Sequence, residues 1–190
     1  SDWDLDGSYD ESAAVHIQLE GETAVCDSDA VSIDGSRITL LDEGTYLVSG
    51  ALTDGQIVVD AGDTDKVQIV LAGASLTCAD SAAIYSKSAD KVFLTLAEGT
   101  ENTLTNGGSY IAIDENNIDS VVFSKTDLTL NGSGSLTIDA QAGHGVVSKD
   151  ELTITGGSYT VTAAEHGMTG KDSLAVAGGD FTIISGKDGL

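Results

Sequence analysis

The feature that most constrains this chain is that its second half repeats itself. His144 to Glu165 reads His-Gly-Val-Val-Ser-Lys-Asp-Glu-Leu-Thr-Ile-Thr-Gly-Gly-Ser-Tyr-Thr-Val-Thr-Ala-Ala-Glu, and a close relative follows at once from His166 to Lys187, 22 residues on. One copy earlier, Ser120 to Asp139 fits the same template with two extra residues. Ala82 to Lys87 matches its opening, Lys91 to Leu96 echoes Lys66 to Leu71, and Asp188-Gly-Leu190 begins a further copy. A fixed period of this length marks stacked units, none of which can bury its apolar face alone. Within each copy, runs such as Leu128-Thr-Leu130, Leu152-Thr-Ile154, Tyr159-Thr-Val161 and Phe181-Thr-Ile183 alternate apolar with polar. Period two is the signature of a strand with one buried face. Gly-rich corners at Asn131-Gly-Ser-Gly134, Gly156-Gly157 and Gly178-Gly179 separate the runs, because glycine tolerates the backbone of sharp turns.

The pattern predicts an all-β fold, a right-handed parallel β-helix with three short strands in each coil of about 22–25 residues. Coils ~4.8 Å apart would align Ile84, Val122, Val146, Met168 and Leu190 in one inward ladder. Leu128, Leu152 and Leu174 would form a second, and Leu136, Tyr159 and Phe181 a third. Residues 1–50 hold strands without the repeat spacing and are expected to be an N-terminal β cap, with residues 51–190 as coils, the last one truncated.

Charge narrows the function. With 31 Asp and Glu against 8 Lys and Arg, the net charge is −23. Such a chain repels phosphate and anionic lipid, which argues against nucleic acid and membrane partners. A hydrophobic content of 41% argues against disorder. No apolar run approaches the ~18 residues of a membrane span, and no basic-plus-apolar leader opens the sequence, so it reads as a mature soluble segment. Cys26 and Cys78 lack a C-x-x-C spacing, which leaves either a disulfide or two separately buried thiols.

Three longer phrases carry a resemblance. Gly55 to Leu71, Ser81 to Lys87 and Asp90 to Leu104 resemble a family of secreted bacterial carbohydrate-binding domain-containing proteins whose right-handed parallel β-helix is similar to that of pectate lyases. The resemblance runs from about Leu5 to the end of the chain. It implies a secreted or cell-surface protein that contains calcium and binds cellulose or acidic sugars, without established lyase turnover. None of the family's calcium ligands is carried over to a particular residue of this chain.

Read from the residues, the richest constellation is a basic ladder. Lys87, Lys125, Lys149 and Lys171 occupy one corner of successive copies, beside an acidic ladder of Asp127, Asp150 and Asp172. Lys125, Lys149 and Lys171 are the candidate substrate-binding residues, spaced to meet carboxylates along a uronic-acid polymer. The alternative is that they offset stacked aspartates, which repel one another at strand spacing. Calcium takes six to eight oxygen ligands, and two acidic groups are candidate metal ligands: Asp60, Asp63 and Asp65 at one corner, and Glu165, Asp172 and Asp188 where consecutive copies turn. Asp2-x-Asp4-x-Asp6-Gly7 imitates the start of an EF-hand loop, but Ala13 stands where the bidentate Glu belongs. His144 and His166 would stack one coil apart, with no third nitrogen or sulfur ligand in register for zinc.

Catalytic signals are weak. The single arginine, Arg37, falls in the expected cap, which disfavours an arginine base, and the acids are too many for any carboxylate pair to stand out. The aromatics Trp3, Tyr9, Tyr46, Tyr85 and Tyr110 are scattered, although Tyr85 aligns with Phe123. The expected function is therefore non-catalytic, calcium-assisted binding of extracellular polysaccharide. The alternatives are a structural or adhesive surface subunit that self-associates end to end through its open last coil, and a calcium-dependent polysaccharide lyase.

Overall fold

Alternating residues make nearly every element a strand, and the structure sorts those strands into two sheets. The computed structural model describes residues 2–190, with side chains from Asp4 onward. The larger sheet has 12 strands. Its main path runs Ser173–Val176, Glu151–Ile154, Asp127–Gly132, Lys91–Leu96, Lys66–Cys78, Glu101–Asn106, Ser135–Ala140, Ser158–Ala163, Asp180–Ser185. Val15–Gly21 and Gly44–Leu52 join it in parallel, and Ala24–Val25 pairs antiparallel at its margin. The second sheet is seven-stranded and mixed. It runs Met168–Gly170, His144–Ser148, Ser120–Ser124, Ile84–Ser88, Gln56–Asp60, Arg37–Leu40, Val31–Asp34, and its last pair is antiparallel.

This arrangement corrects the expected right-handed β-helix of three separate strands per coil. The larger sheet curls as a half-barrel, and the mixed sheet stands apart from it. The physical reason lies in Lys66–Cys78, 13 residues without a break. Its first half pairs with Lys91–Leu96 and its second with Glu101–Asn106. Gly73, at φ 80°, bends the strand without ending it, so two expected faces fuse into one curved sheet. The neighbouring strand bends at Gly50, φ 91°, where the register also shifts. A Cβ there would strike the Leu19 carbonyl oxygen.

The expected ladders form between the sheets, and two extend further back than the repeat suggested. Ile38, Ile57, Ile84, Val122, Val146 and Met168 are in register and buried. So are Val67 and Val92 beneath Leu128 and Leu152, with half-buried Leu174 next in line. Tyr159 and Phe181 stack with centroids 5.4 Å apart. Leu190 continues the backbone register, since Met168 N donates to Gly189 O as Val146 N does to Gly167 O, but it lies outside the last strand and is exposed. Full burial of a large apolar side chain contributes roughly 1.5–3 kcal/mol, so these columns carry most of the fold's stability.

Two features lie outside the repeat. The segment 107–119, between Glu101–Asn106 and Ser120–Ser124, lies over the outer face of the mixed sheet. There Tyr110, Ile113 and Ile118 pack with Val58, Ala82, Tyr85, Phe123 and Val147 as a second apolar cluster. At the other end of the chain, the short helix Asp2–Leu5 rests on Asp127–Gly132. Asp4 is buried, ion-paired with Lys91, and accepts a hydrogen bond from Thr129 Oγ1. Asp4 is thus a packing residue, and Asp6 accepts from Ser8 N. The Asp2 side chain, the first member of the EF-hand-like run, lies outside the described residues, as does that of Trp3. Among the described residues no helix is long and apolar enough to cross a membrane.

Candidate functional site

The lysine corner forms as a true column. Three strands of the mixed sheet continue their register one residue beyond their ends: Lys125 N donates to Ser86 O, Lys149 N to Ser124 O and Lys171 N to Ser148 O. Strand spacing therefore sets the lysines ~4.8 Å apart along the backbone, close to one residue of an extended sugar polymer. Four of the seven lysines are committed to carboxylates. Lys66 pairs with Asp90 at 3.5 Å, Lys87 with Asp60 at 3.7 Å, Lys187 with Glu165 at 2.9 Å, and Lys91 with Asp4. Among the described residues, Lys125, Lys149 and Lys171 have no carboxylate within ion-pairing distance. Lys149 Nζ instead stands 5.5 Å from the Phe123 ring centroid, a favourable cation–π placement.

Asp127, Asp150 and Asp172 form the companion column. Asp172 N donates to Asp150 O, and Glu151 N donates to Asp127 Oδ1. Partial burial, with Asp127 and Asp172 on either side, holds the Asp150 carboxyl above the usual carboxylate range; Lys171 and Lys125 pull it back. The lysines therefore soften the acidic repulsion while their ammonium groups remain outside any ion pair.

The two candidate calcium corners are organised differently. Asp60 faces Lys87, Asp63 accepts from Ser88 Oγ at 3.2 Å, and Asp65 turns back to accept from Gly62 N at 2.8 Å. The second group is divided. Asp172 sits beyond Met168–Gly170 in the aspartate column, whereas Glu165 and Asp188 lie before that strand's start, beside the histidines. His144 and His166 stack with centroids 5.1 Å apart, and His144 Nδ1 accepts from His166 N. This leaves His144 Nε2 toward Glu165 at 3.4 Å and Asp119 at 3.7 Å. Burial nevertheless holds the His144 imidazole below its ordinary pKa, against the pull of Asp119 and Glu165.

A third site was not foreseen. A pocket of about 430 Å³ opens at the end of the mixed sheet, lined by Asp34, Ser36, Arg37, Asp54, Gln56, Cys78, Asp80, Ser81, Ile111 and Ile113. Arg37 and Gln56 are register partners on adjacent strands, and Arg37 Nε donates to Gln56 Oε1 at 3.1 Å. Gln56 Nε2 in turn donates to Ala82 O. Asp54, Cys78 and Asp80 bring their ligand atoms within 4.8 Å of one another, the one such trio among the described residues. Cys78 is a free thiol, as is Cys26. Burial pushes the Cys78 thiol up; the backbone amides of Asp80 and Ser81 pull it down, and the charges of Asp80 and Asp54 push it up further. Asn106, fully buried, anchors the rim: its Nδ2 donates to Ser81 O and Ser109 O, and its Oδ1 accepts from Gly108 N. The repeat could not reveal this pocket, because its residues come from the irregular first half and from the segment 107–119.

A model of the family "Carbohydrate-binding domain-containing protein" matches residues 34–190. The chain belongs to that family. A carbohydrate-binding domain-containing protein of Acetivibrio thermocellus is 38% identical over 137 residues, which cover 71% of this chain and 48% of the relative. The chain thus spans about half the length of that relative. Among solved structures, the gadolinium derivative of a polysaccharide lyase-like protein from C. thermocellum is similar, with a TM-score of 0.81 and 28% identity. That match covers 90% of this chain and 82% of the other. The carbohydrate-binding match takes in the lysine column and the whole pocket, and it supports polysaccharide binding at that general level.

Proposed function

We propose that this chain is a non-catalytic module that binds acidic polysaccharide outside the cell, with Lys125, Lys149 and Lys171 meeting successive sugar carboxylates. One observation carries the reading: among the described residues, the ladder lysines are the three outside ion pairs, and they are in register. A lysine held only by solvent and an aromatic face loses little on meeting a carboxylate, whereas Lys187 would first have to release Glu165. Calcium fits beside them. Asp127, Asp150 and Asp172 offer hard oxygen ligands in a column whose own repulsion a divalent cation would relieve. The cation would supply a bridge between those carboxylates and the polymer's own. Reactivity is not needed for any of this. The column holds its ammonium groups and carboxylates exposed or only partly buried.

The test is depletion from solution by insoluble polygalacturonate and by cellulose, with calcium and then with chelator. Calcium-dependent depletion on the acidic polymer is expected, lost in the triple variant K125A/K149A/K171A and kept in K66A/K187A. Equal depletion by the two triple- and double-charge variants would refute the role of the column. Appearance of unsaturated sugar product would refute the non-catalytic reading.

A further inference from the structure

The pocket at the end of the mixed sheet holds chemistry that sugar binding along the lysine column does not use. We propose that Asp54, Cys78 and Asp80 bind a divalent transition-metal ion of the zinc type in the pocket that Ser81 also lines. The inference is independent of the lysine column.

The three ligands are brought together by backbone bonds rather than by chance proximity of mobile side chains. Asp54 lies just beyond Gly44–Leu52, and Cys78 ends Lys66–Cys78. Gly55 N donates to Thr77 O at 2.8 Å and Ala79 N donates to Asp54 Oδ1 at 3.0 Å, locking the two segments edge to edge. From the other side, Gly107 N donates to Cys78 O and Ile111 N to Asp80 O. The Asp54 and Asp80 carboxylates and the Cys78 sulfur each offer one ligand atom. Their mutual separations, within 4.8 Å, come close to what one ion with bonds of about 2.0–2.3 Å to oxygen and sulfur can span. Asp54 and Asp80 are exposed and can rotate to close the difference.

A second observation points to a ligand. Ser81 is 3% exposed and lines the same pocket, yet its Oγ has no hydrogen-bond partner. Buried hydroxyls are rarely left in that state, and a metal ion or its bound water would satisfy this one. The donor set decides the class of metal. Calcium and magnesium take oxygen ligands only, whereas a thiolate among carboxylates suits zinc and its borderline neighbours. Arg37 lines the same pocket and offsets part of its negative charge.

Cobalt(II) is the probe, because a cobalt–thiolate bond has a near-ultraviolet charge-transfer band that oxygen ligation lacks. The reduced, metal-free 190-residue chain titrated with Co²⁺ is expected to develop that band to one equivalent. Zn²⁺ should then abolish it, and an equal concentration of Ca²⁺ should not. C26S should keep the band and C78S should lose it. D54N/D80N, changed only at exposed positions, should weaken Zn²⁺ affinity by at least roughly 10-fold, the lower bound for losing even a group that merely orients a ligand. The double variant decides the matter if C78S fails to fold. Absence of the band, its survival in C78S, its loss in C26S, or unchanged Zn²⁺ affinity in D54N/D80N would each overturn the proposal.

Discussion

Leu152 and Leu174 occupy the same ladder, one repeat apart and in direct register, so the repeat treats them as equivalent. The structure does not. Leu152 is fully buried between Leu128 and Leu174, whereas Leu174 lies on the last strand of the sheet path and is only half-buried. Replacing Leu152 by Ala removes three carbons, about 2.4 kcal/mol of transfer free energy at ~0.8 kcal/mol each. The void is held open because parallel hydrogen bonds fix the strands above and below, so a cavity contribution adds to this and brings the cost to about 3–4 kcal/mol. Leu174→Ala exposes a shallow notch that water fills, and should cost roughly 1–1.5 kcal/mol. Urea unfolding of the 190-residue chain, followed by far-ultraviolet circular dichroism, measures both. If the transition is not a single step, hydrogen exchange of the amides in Glu151–Ile154 and Ser173–Val176 replaces it. Leu152→Met, which conserves volume, should cost under about 1.5 kcal/mol. Costs for the two alanine variants that agree within about 0.5 kcal/mol would refute the claim that burial, and not ladder position, sets the energetics.

Other outcomes follow from particular contacts. Asn106→Ala removes three hydrogen bonds at a buried position, each contributing about 0.5–1.5 kcal/mol. It should cost roughly 2–4 kcal/mol and speed amide exchange across residues 107–119 before it affects Leu152. The Asp150 carboxyl is held above its ordinary value, so its charged form works against the fold at neutral pH, a cost relieved as pH falls through the raised value. Asp150→Asn should therefore raise Tm by about 1–2 °C at pH 7 in chelator, with the gain fading on acidification. With calcium present the sign should reverse if the aspartate column holds the ion. For His144 the shift is downward, so the unfolded chain binds the proton more tightly. Stability should fall as pH drops from about 6.5 through the lowered folded value, and His144→Gln should remove that part of the acid loss in a pH series of thermal melts.

How much was legible can be judged from specific residues. Val122, Val146 and Met168, and likewise Leu136, Tyr159 and Phe181, were placed in columns by spacing alone, and the register agrees. The alignment of Lys125, Lys149 and Lys171 was legible for the same reason. Which of the lysines would be left outside an ion pair was not. That depends on where Asp60, Asp90, Asp4 and Glu165 fall in space, and Asp4 reaches Lys91 from the far end of the chain. Nor was it legible that Glu165 and Asp188 would lie beside the histidines and Asp172 in the aspartate column, at the two ends of the short strand Met168–Gly170.

What the sequence determined by itself is therefore periodic: strands of alternating polarity, stacked copies, inward columns and the family resemblance carried by the phrases from Gly55 to Leu104. Period-two alternation and a constant offset are local rules, satisfied by any copy against its neighbour. Only the tertiary structure decided that Gly73 bends a strand instead of ending it, fusing two expected faces into one curled sheet. It alone brought Arg37, Asp54, Cys78 and Ser81 around one pocket beneath Ile111 and Ile113. Those residues share no spacing and no repeat position. They meet because backbone bonds close long loops between them, and the cost of closing a loop depends on the whole fold that stabilises it.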